Sequence, residues 1–188
     1  EEIFFQKNWN QNTSEFGSTK NDDRSIQTYL DGIKSQVDIS KIKSKNLKVA
    51  LDLGNGAQTI TAIKLCEQLG CETIAINQEI DGTFSGRGPE PTPYNLEELS
   101  SAVVNNNADL GVAFDGDGDR SIFCDNTGKL LSGDKSALLL SNYLLKKNPN
   151  SKVVTCINSG NSIDEIVTQT NSRKSTRLNS SHSEISYA

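Results

Sequence analysis

The 188-residue chain carries a formal net charge of −5, with 34% hydrophobic and 23% charged residues. No basic block dominates, which argues against nucleic acid as a partner. No apolar run has the length of a membrane span, and the opening "EEIFFQKNWN" lacks a signal-peptide layout, so a membrane partner is not expected either. The four cysteines (Cys66, Cys71, Cys124, Cys156) form no CxxC pair, which reads as reduced thiols in a cytoplasmic protein.

Residues 1–21 read as a polar approach segment, within which Trp9 and the "IFF" run are taken as remnants of a preceding core. From Asp22, the spacing of Ile26, Tyr29, Leu30, Ile33 and Val37 predicts a helix. "LKVALDL" (47–53) follows as a buried strand, and "GNG" turns the chain. Ala62, Leu65, Cys66 and Leu69 mark the apolar face of a helix that Gly70 stops. "ETIAIN" (72–77) is the next strand, and the long loop "QEIDGTFSGRGPEPTPY" leads to a helix near Asn95 to Val104 with Leu96 and Leu99 inward. "DLGVAF" predicts a third strand; "SIFCD", "NTG" and "KLLS" predict two antiparallel strands joined by a tight turn. A Leu-rich helix spans about Asp134 to Lys147, then "KVVTCI" opens another strand and "SIDEIVTQ" another helix. Alternating strands and helices predict an α/β fold with a largely parallel, twisted sheet. Residues from about 45 to 148 form one unit, and the strand at 152 is either its last element or the opening of a second.

Two features suggest a fragment cut at both ends. The chain contains no Met, and "RKSTRLNSSHSEISYA" is Ser-rich with no helical or strand period. That stretch resembles the conceptual translation of a sequencing adapter, so residues 173–188 are expected not to pack, and His182, the only histidine, is assigned no role.

The chemistry is concentrated in "DGDGDR". Asp115, Asp117 and Asp119 bring −3 into a tight glycine-containing loop, and Arg120 returns +1. A bound divalent cation resolves that imbalance, and an all-oxygen donor set suits Mg²⁺ or Mn²⁺ rather than zinc. A solvated acidic turn is the plainer reading, but the loop follows an apolar strand, where open α/β sheets bind ligands. An EF-hand is excluded because the sixth position is Arg120 and the twelfth Asn126. A haloacid-dehalogenase-like phosphatase stays open with Asp115 as nucleophile, although its fifth position is then Asp119 rather than a hydroxyl or small apolar residue. A non-catalytic divalent-metal-binding α/β module is a third reading.

"DGDGDR" behind "LGVAF", preceded by "GRGPEPTPYNLEEL" and "VALDLGNGA", resembles the α-D-phosphohexomutase superfamily, closest to the archaeal-type phosphoglucosamine and phosphomannomutase branch. The resemblance runs in order from about Ile26 to Ile157. It implies an α/β/α layered domain with partial neighbouring domains, an isomerase acting as an intramolecular phosphotransferase, and a sugar-phosphate substrate with a bisphosphate intermediate. It implies that Asp115, Asp117 and Asp119 hold Mg²⁺, whose remaining ligand is a phosphoserine oxygen, and that Arg120 contacts that phosphate. The family's T-x-S-H-N-P serine loop is absent from these residues, as are its sugar-selecting and phosphate-binding loops. The implied organisation is therefore the end of domain one and a connecting helix (1–44), domain two (45–148) and the start of domain three (149–172). Such a piece is expected to be inactive alone.

Two further motifs carry less. "GNGAQT" has Thr59 where a dinucleotide fingerprint has its third glycine, so Gly54 and Gly56 read as a tight strand-to-helix turn. In "GRGPEPTP", Arg87 either meets a phosphate or forms a surface ion pair on a proline-stiffened connector.

Overall fold

A computed structural model describes residues 2–7, 17–156 and 159–177; Trp9 and His182 lie outside the described residues. The chain divides into two compact units, residues 1–36 and 37–188. The first holds α1 (Glu2–Phe5), whose Phe4 and Phe5 are exposed, and α2 (Ser25–Lys34), which buries Leu30. The predicted helix ends earlier than the Val37 spacing suggests.

The second unit opens with a short helix the periodicity did not reveal, α3 (Ile39–Lys43), started by the Asp38 carboxylate accepting the Lys41 N–H at 3.0 Å. Five strands then build one sheet: β1 (Lys48–Asp52), β2 (Glu72–Ile76), β3 (Leu110–Phe114), β4 (Ser121–Asp125) and β5 (Leu130–Leu131). Their order is β2-β1-β3-β4-β5, with β1 parallel to both β2 and β3, and β4 antiparallel to β3 and β5.

Both faces are covered, which explains why β1 reads as a continuous apolar run rather than an alternating one. Val49, Leu51 and Leu53 pack with Ala62 and Ile63 of α4 (Ala62–Gln68). Ala50 and Ala113 point the other way, onto Leu96 and onto Leu99 and Val103 of α5 (Glu97–Asn105). The result is an α/β/α sandwich, with every loop at the carboxyl ends of β1, β2 and β3 gathered on one edge.

α6 (Gly133–Lys147) is capped by the Ser132 hydroxyl accepting from the Lys135 N–H. Its buried Leu145 and half-buried Leu138 pack with Ile163 and Val167 of α7 (Ile163–Gln169) and Val153 of β6 (Lys152–Cys156). β6 does not extend the five-stranded sheet. It pairs in parallel with β7 (Arg173–Arg177) in a separate two-stranded sheet.

β7 runs counter to the expectation that nothing from Arg173 onward packs. Parallel pairing is a backbone interaction that tolerates the polar "RKSTR", and Lys174 Nζ adds an ion pair to Asp164 at 2.8 Å. Residues 178–188 lie outside the described residues. Among the described residues no helix is long and apolar enough to cross a membrane.

Candidate metal centre

The six residues of "DGDGDR" are the hairpin loop between β3 and β4, whose last ladder pair is Phe114 with Ser121. The Asp115 N–H donates to the Arg120 carbonyl at 3.2 Å, closing the loop at its base. Asp115 is 1% exposed. Its Oδ1 accepts the Gly118 and Arg120 N–H groups, both at 3.0 Å, and its Oδ2 accepts Arg120 Nε at 2.8 Å. Gly118 sits at φ +81°, a left-handed conformation that lets the chain curl back over Asp115.

That curl gathers the carboxylates. Asp115, Asp117 and Asp119 each offer a ligand atom, all within 4.8 Å of one another, with Asp115 buried and the other two exposed. The electrostatics show the crowding. Proximity to the Asp115 carboxylate, then the Asp117 charge, raises the Asp119 pKa. Burial pushes Asp115 up, but the Arg120 backbone N–H and guanidinium outweigh it and leave its pKa lowered. Hard oxygen donors gathered this closely suit a small divalent cation, so the residues present fit Mg²⁺ or Mn²⁺.

Neighbouring loops press on the hairpin. The Ala57 N–H donates to the Gly116 carbonyl at 3.0 Å, and Gln58 Nε2 donates to the Gly118 carbonyl at 3.3 Å. A Cβ added at Gly56 would overlap the Gly116 carbonyl oxygen, so "GNG" serves close backbone approach to the carboxylate loop.

Arg87 takes neither of its predicted roles. It is buried with Asp52 at the end of β1, Nε to Oδ2 at 2.6 Å, with side chains 3% and 1% exposed. Its Nη2 donates to the carbonyl of Phe114, the residue immediately before Asp115. The other Asp52 oxygen accepts the Gly54 N–H at 3.0 Å and Asn77 Nδ2 at 2.9 Å. A buried pair with every partner satisfied ties the long loop after β2 to the root of the carboxylate hairpin. Sequence reasoning passed over Asp52, although a lone carboxylate inside "LKVALDL" was the available signal.

Glu90 was missed as well. Arg120 Nη2 donates to Glu90 Oε1 at 2.6 Å, and its Nε lies 3.4 Å from Asp119 Oδ1. The Glu90 and Asp115 carboxylates raise the Arg120 pKa, keeping it charged.

Asp115 is largely committed to the loop: both oxygens accept hydrogen bonds and the side chain is buried, which leaves a spare lone pair for a cation but not a free carboxylate. A phosphatase nucleophile needs an approachable oxygen, so the haloacid-dehalogenase-like reading is not favoured.

Fold and site together define an α/β/α domain that carries an acidic hairpin loop, and comparison with known proteins gives its family. The model for phosphoglucomutase/phosphomannomutase, alpha/beta/alpha domain II, matches residues 27–128, and the chain belongs to that family. The match stops at the β4–β5 turn, short of α6. A phosphoglucosamine/phosphogalactosamine mutase from Sulfurisphaera tokodaii is 41% identical over 177 residues, covering 91% of this chain and 38% of that protein. A phosphoglucomutase/phosphomannomutase from Thermococcus kodakarensis is 36% identical over 167 residues, covering 88% and 36%. A crystal structure of a phosphoglucomutase/phosphomannomutase family protein from Burkholderia thailandensis superposes with a TM-score of 0.68 at 26% identity, over 79% of this chain and 33% of that one. The chain thus spans less than two fifths of the length of these relatives.

Proposed function

We propose that the protein to which this chain belongs is a Mg²⁺-dependent phosphohexomutase, moving a phosphoryl group between the 6- and 1-positions of a hexose or hexosamine phosphate. The transfer would run through a phosphoserine and a bisphosphate intermediate, with the serine outside these residues. The observation that carries this reading is the gathering of Asp115, Asp117 and Asp119 on one hairpin of the family's α/β/α domain.

Asp115, Asp117 and Asp119 would hold the metal, which when bound supplies charge neutralisation and alignment to the phosphoryl group. The chain's own residues set the conditions. Asp115 spends most of its acceptor capacity on the loop, so its role is to fix the position from which Asp117 and Asp119 project. Arg120 stays cationic and, among the described residues, uses Nε and one Nη2 hydrogen on protein partners, leaving guanidinium donors for a phosphate oxygen. The domain assignment follows: residues 1–44 end domain one, 45–148 are domain two and 149–172 open domain three, with the packing of α6 onto α7 favouring an earlier start for the third. Free cysteines suit a reducing cytoplasm.

The test is a coupled mutase assay on the full-length enzyme, primed with a hexose bisphosphate and run with and without Mg²⁺. Interconversion of the 6- and 1-phosphates that chelation abolishes is the expected result. Net release of inorganic phosphate would defeat the assignment.

A further inference from the structure

We propose that Glu90 is a positioning residue for Arg120, holding the guanidinium against the carboxylate hairpin with its free edge open to a phosphate. The inference rests on the phosphohexomutase reading above, and it concerns a residue outside the metal-binding hairpin.

Glu90 is unlike an ordinary surface glutamate because its backbone is fixed from several directions. Pro89 and Pro91 flank it and restrict the main-chain torsions. The Asn95 side chain donates to both the Arg87 carbonyl at 2.8 Å and the Glu90 carbonyl at 2.9 Å, while its Oδ1 accepts the Thr92 N–H at 2.8 Å. Arg87, three residues before Glu90, is anchored in the buried pair with Asp52. Glu90 therefore projects from a segment that is tied to the same sheet edge as the hairpin it reaches.

Arg120 is 62% exposed and Glu90 55%, so their pair adds little to stability. Its effect is on orientation. Asp115 grips the guanidinium at Nε and Glu90 grips it at Nη2, and two anchors on different nitrogens of a planar group define its plane. Of the five N–H donors, three remain without a partner among the described residues, two on Nη1 and one on Nη2. Without Glu90, the group keeps the Asp115 anchor and its charge but loses the second point that fixes the plane. Misorientation of a group acting on a transferring phosphoryl lowers turnover without disturbing the metal.

The experiment uses the full-length enzyme and four variants: Glu90→Ala, Glu90→Gln, Arg120→Ala and the Glu90→Ala/Arg120→Ala double mutant. Glu90→Ala is expected to lower kcat about 10-fold with little change in KM. Glu90→Gln, which keeps length and an acceptor oxygen, should fall between it and wild type. In the Arg120→Ala background the Glu90→Ala loss should vanish, since Glu90 then has nothing to position. Mn²⁺ affinity, read by electron paramagnetic resonance, should be unchanged by Glu90→Ala. An activity-independent readout is the Arg120 Nε–H signal in ¹⁵N-arginine-labelled protein, expected to broaden or shift in Glu90→Ala. Wild-type kcat in Glu90→Ala, an undiminished loss in the double mutant, or a parallel fall in Mn²⁺ affinity would overturn the proposal. A wild-type enzyme without mutase activity would instead count against the functional reading, and an unaltered Nε–H signal would then dispose of the positioning role separately.

Discussion

Asp117 and Asp119 carry the exposed part of the carboxylate cluster, and the neighbouring Asp115, then the Asp117 charge, raise the Asp119 pKa. Asp117→Asn keeps the shape of the side chain while removing one charge, so Mg²⁺ or Mn²⁺ binding should weaken, as titration calorimetry on the full-length protein would record. Arg120→Ala should leave metal binding largely intact, because arginine is no ligand, yet reduce kcat. Losing one charge-assisted contact to a transferring phosphoryl group costs about 3 kcal/mol, on the order of a hundredfold in rate. Equal kcat in the coupled assay would remove Arg120 from the chemistry. The cysteines give a separate test. Burial, and then the neighbouring Cys71, push the Cys66 thiol up to about 11; Cys71 lies just past the end of α4, its N–H donating to the Cys66 carbonyl at 2.9 Å. Cys156 is exposed. Iodoacetamide at pH 8 should therefore modify Cys156 first, well ahead of Cys66 and the buried Cys124, with the Cys66 rate climbing as pH approaches 11. A thiol whose folded pKa lies above its unfolded value stabilises the fold fully below the unfolded value. That contribution is lost as pH rises through the folded one. Peptide mapping by mass spectrometry would show the order, and early loss of Cys66 would contradict it.

The long loop between β2 and α5 acts as an element in its own right although it contains no helix or strand. Arg87 and Glu90 reach from it in opposite directions, one down to Asp52 and one across to Arg120. The two pairs differ in consequence. The Arg87–Asp52 pair is buried, so Arg87→Ala leaves an uncompensated carboxylate and should cost about 3–5 kcal/mol, visible as a lowered Tm in differential scanning calorimetry. Replacing both partners, Asp52→Leu with Arg87→Met, should cost clearly less than Arg87→Ala alone, since no buried charge is then left unpaired. The reverse order would mean the pair acts through packing alone. Because Arg87 also donates to the Phe114 carbonyl, the single variant should weaken metal binding as well, despite touching no ligand.

At the scale of the molecule, the proposed mutase reading needs more chain than these residues, which span less than two fifths of the relatives' length. The chain's carboxylate hairpin is in place, but the T-x-S-H-N-P pattern and the sugar-selecting loop are absent from its 188 residues. Expressed by itself it should bind a divalent cation and fail to interconvert hexose phosphates, whereas the full-length protein should do both; turnover by the 188-residue chain would refute the division of labour between domains. The end of the chain has its own test. Arg173–Arg177 pair with β6, yet "RKSTRLNSSHSEISYA" resembles adapter translation. An independent long read across the codons for Ser172 and Arg173 should give a different continuation, one supplying a more apolar partner strand for β6. Recovery of the same tail would sink the artefact reading.

Much of the framework was legible in the residues alone. Helical spacing in Ala62, Leu65, Cys66 and Leu69, apolar runs at β1 and β3, and the "NTG" turn report local preferences that tertiary packing had no reason to override. The carboxylate cluster was legible for the same reason, since its three members lie within five consecutive residues. What escaped depends on contacts between residues far apart in sequence. Asp52 and Arg87 are 35 positions apart, and Arg120 and Glu90 are 30 apart. Whether an arginine meets a phosphate, the solvent or a buried carboxylate is decided by which loop the sheet order β2-β1-β3 brings beside it. The placement of α6 is of the same kind: its leucines announce an amphipathic helix, but which neighbour they bury against is settled only when β6 joins a second sheet. Periodicity records that a face must be covered; tertiary structure alone decides what covers it.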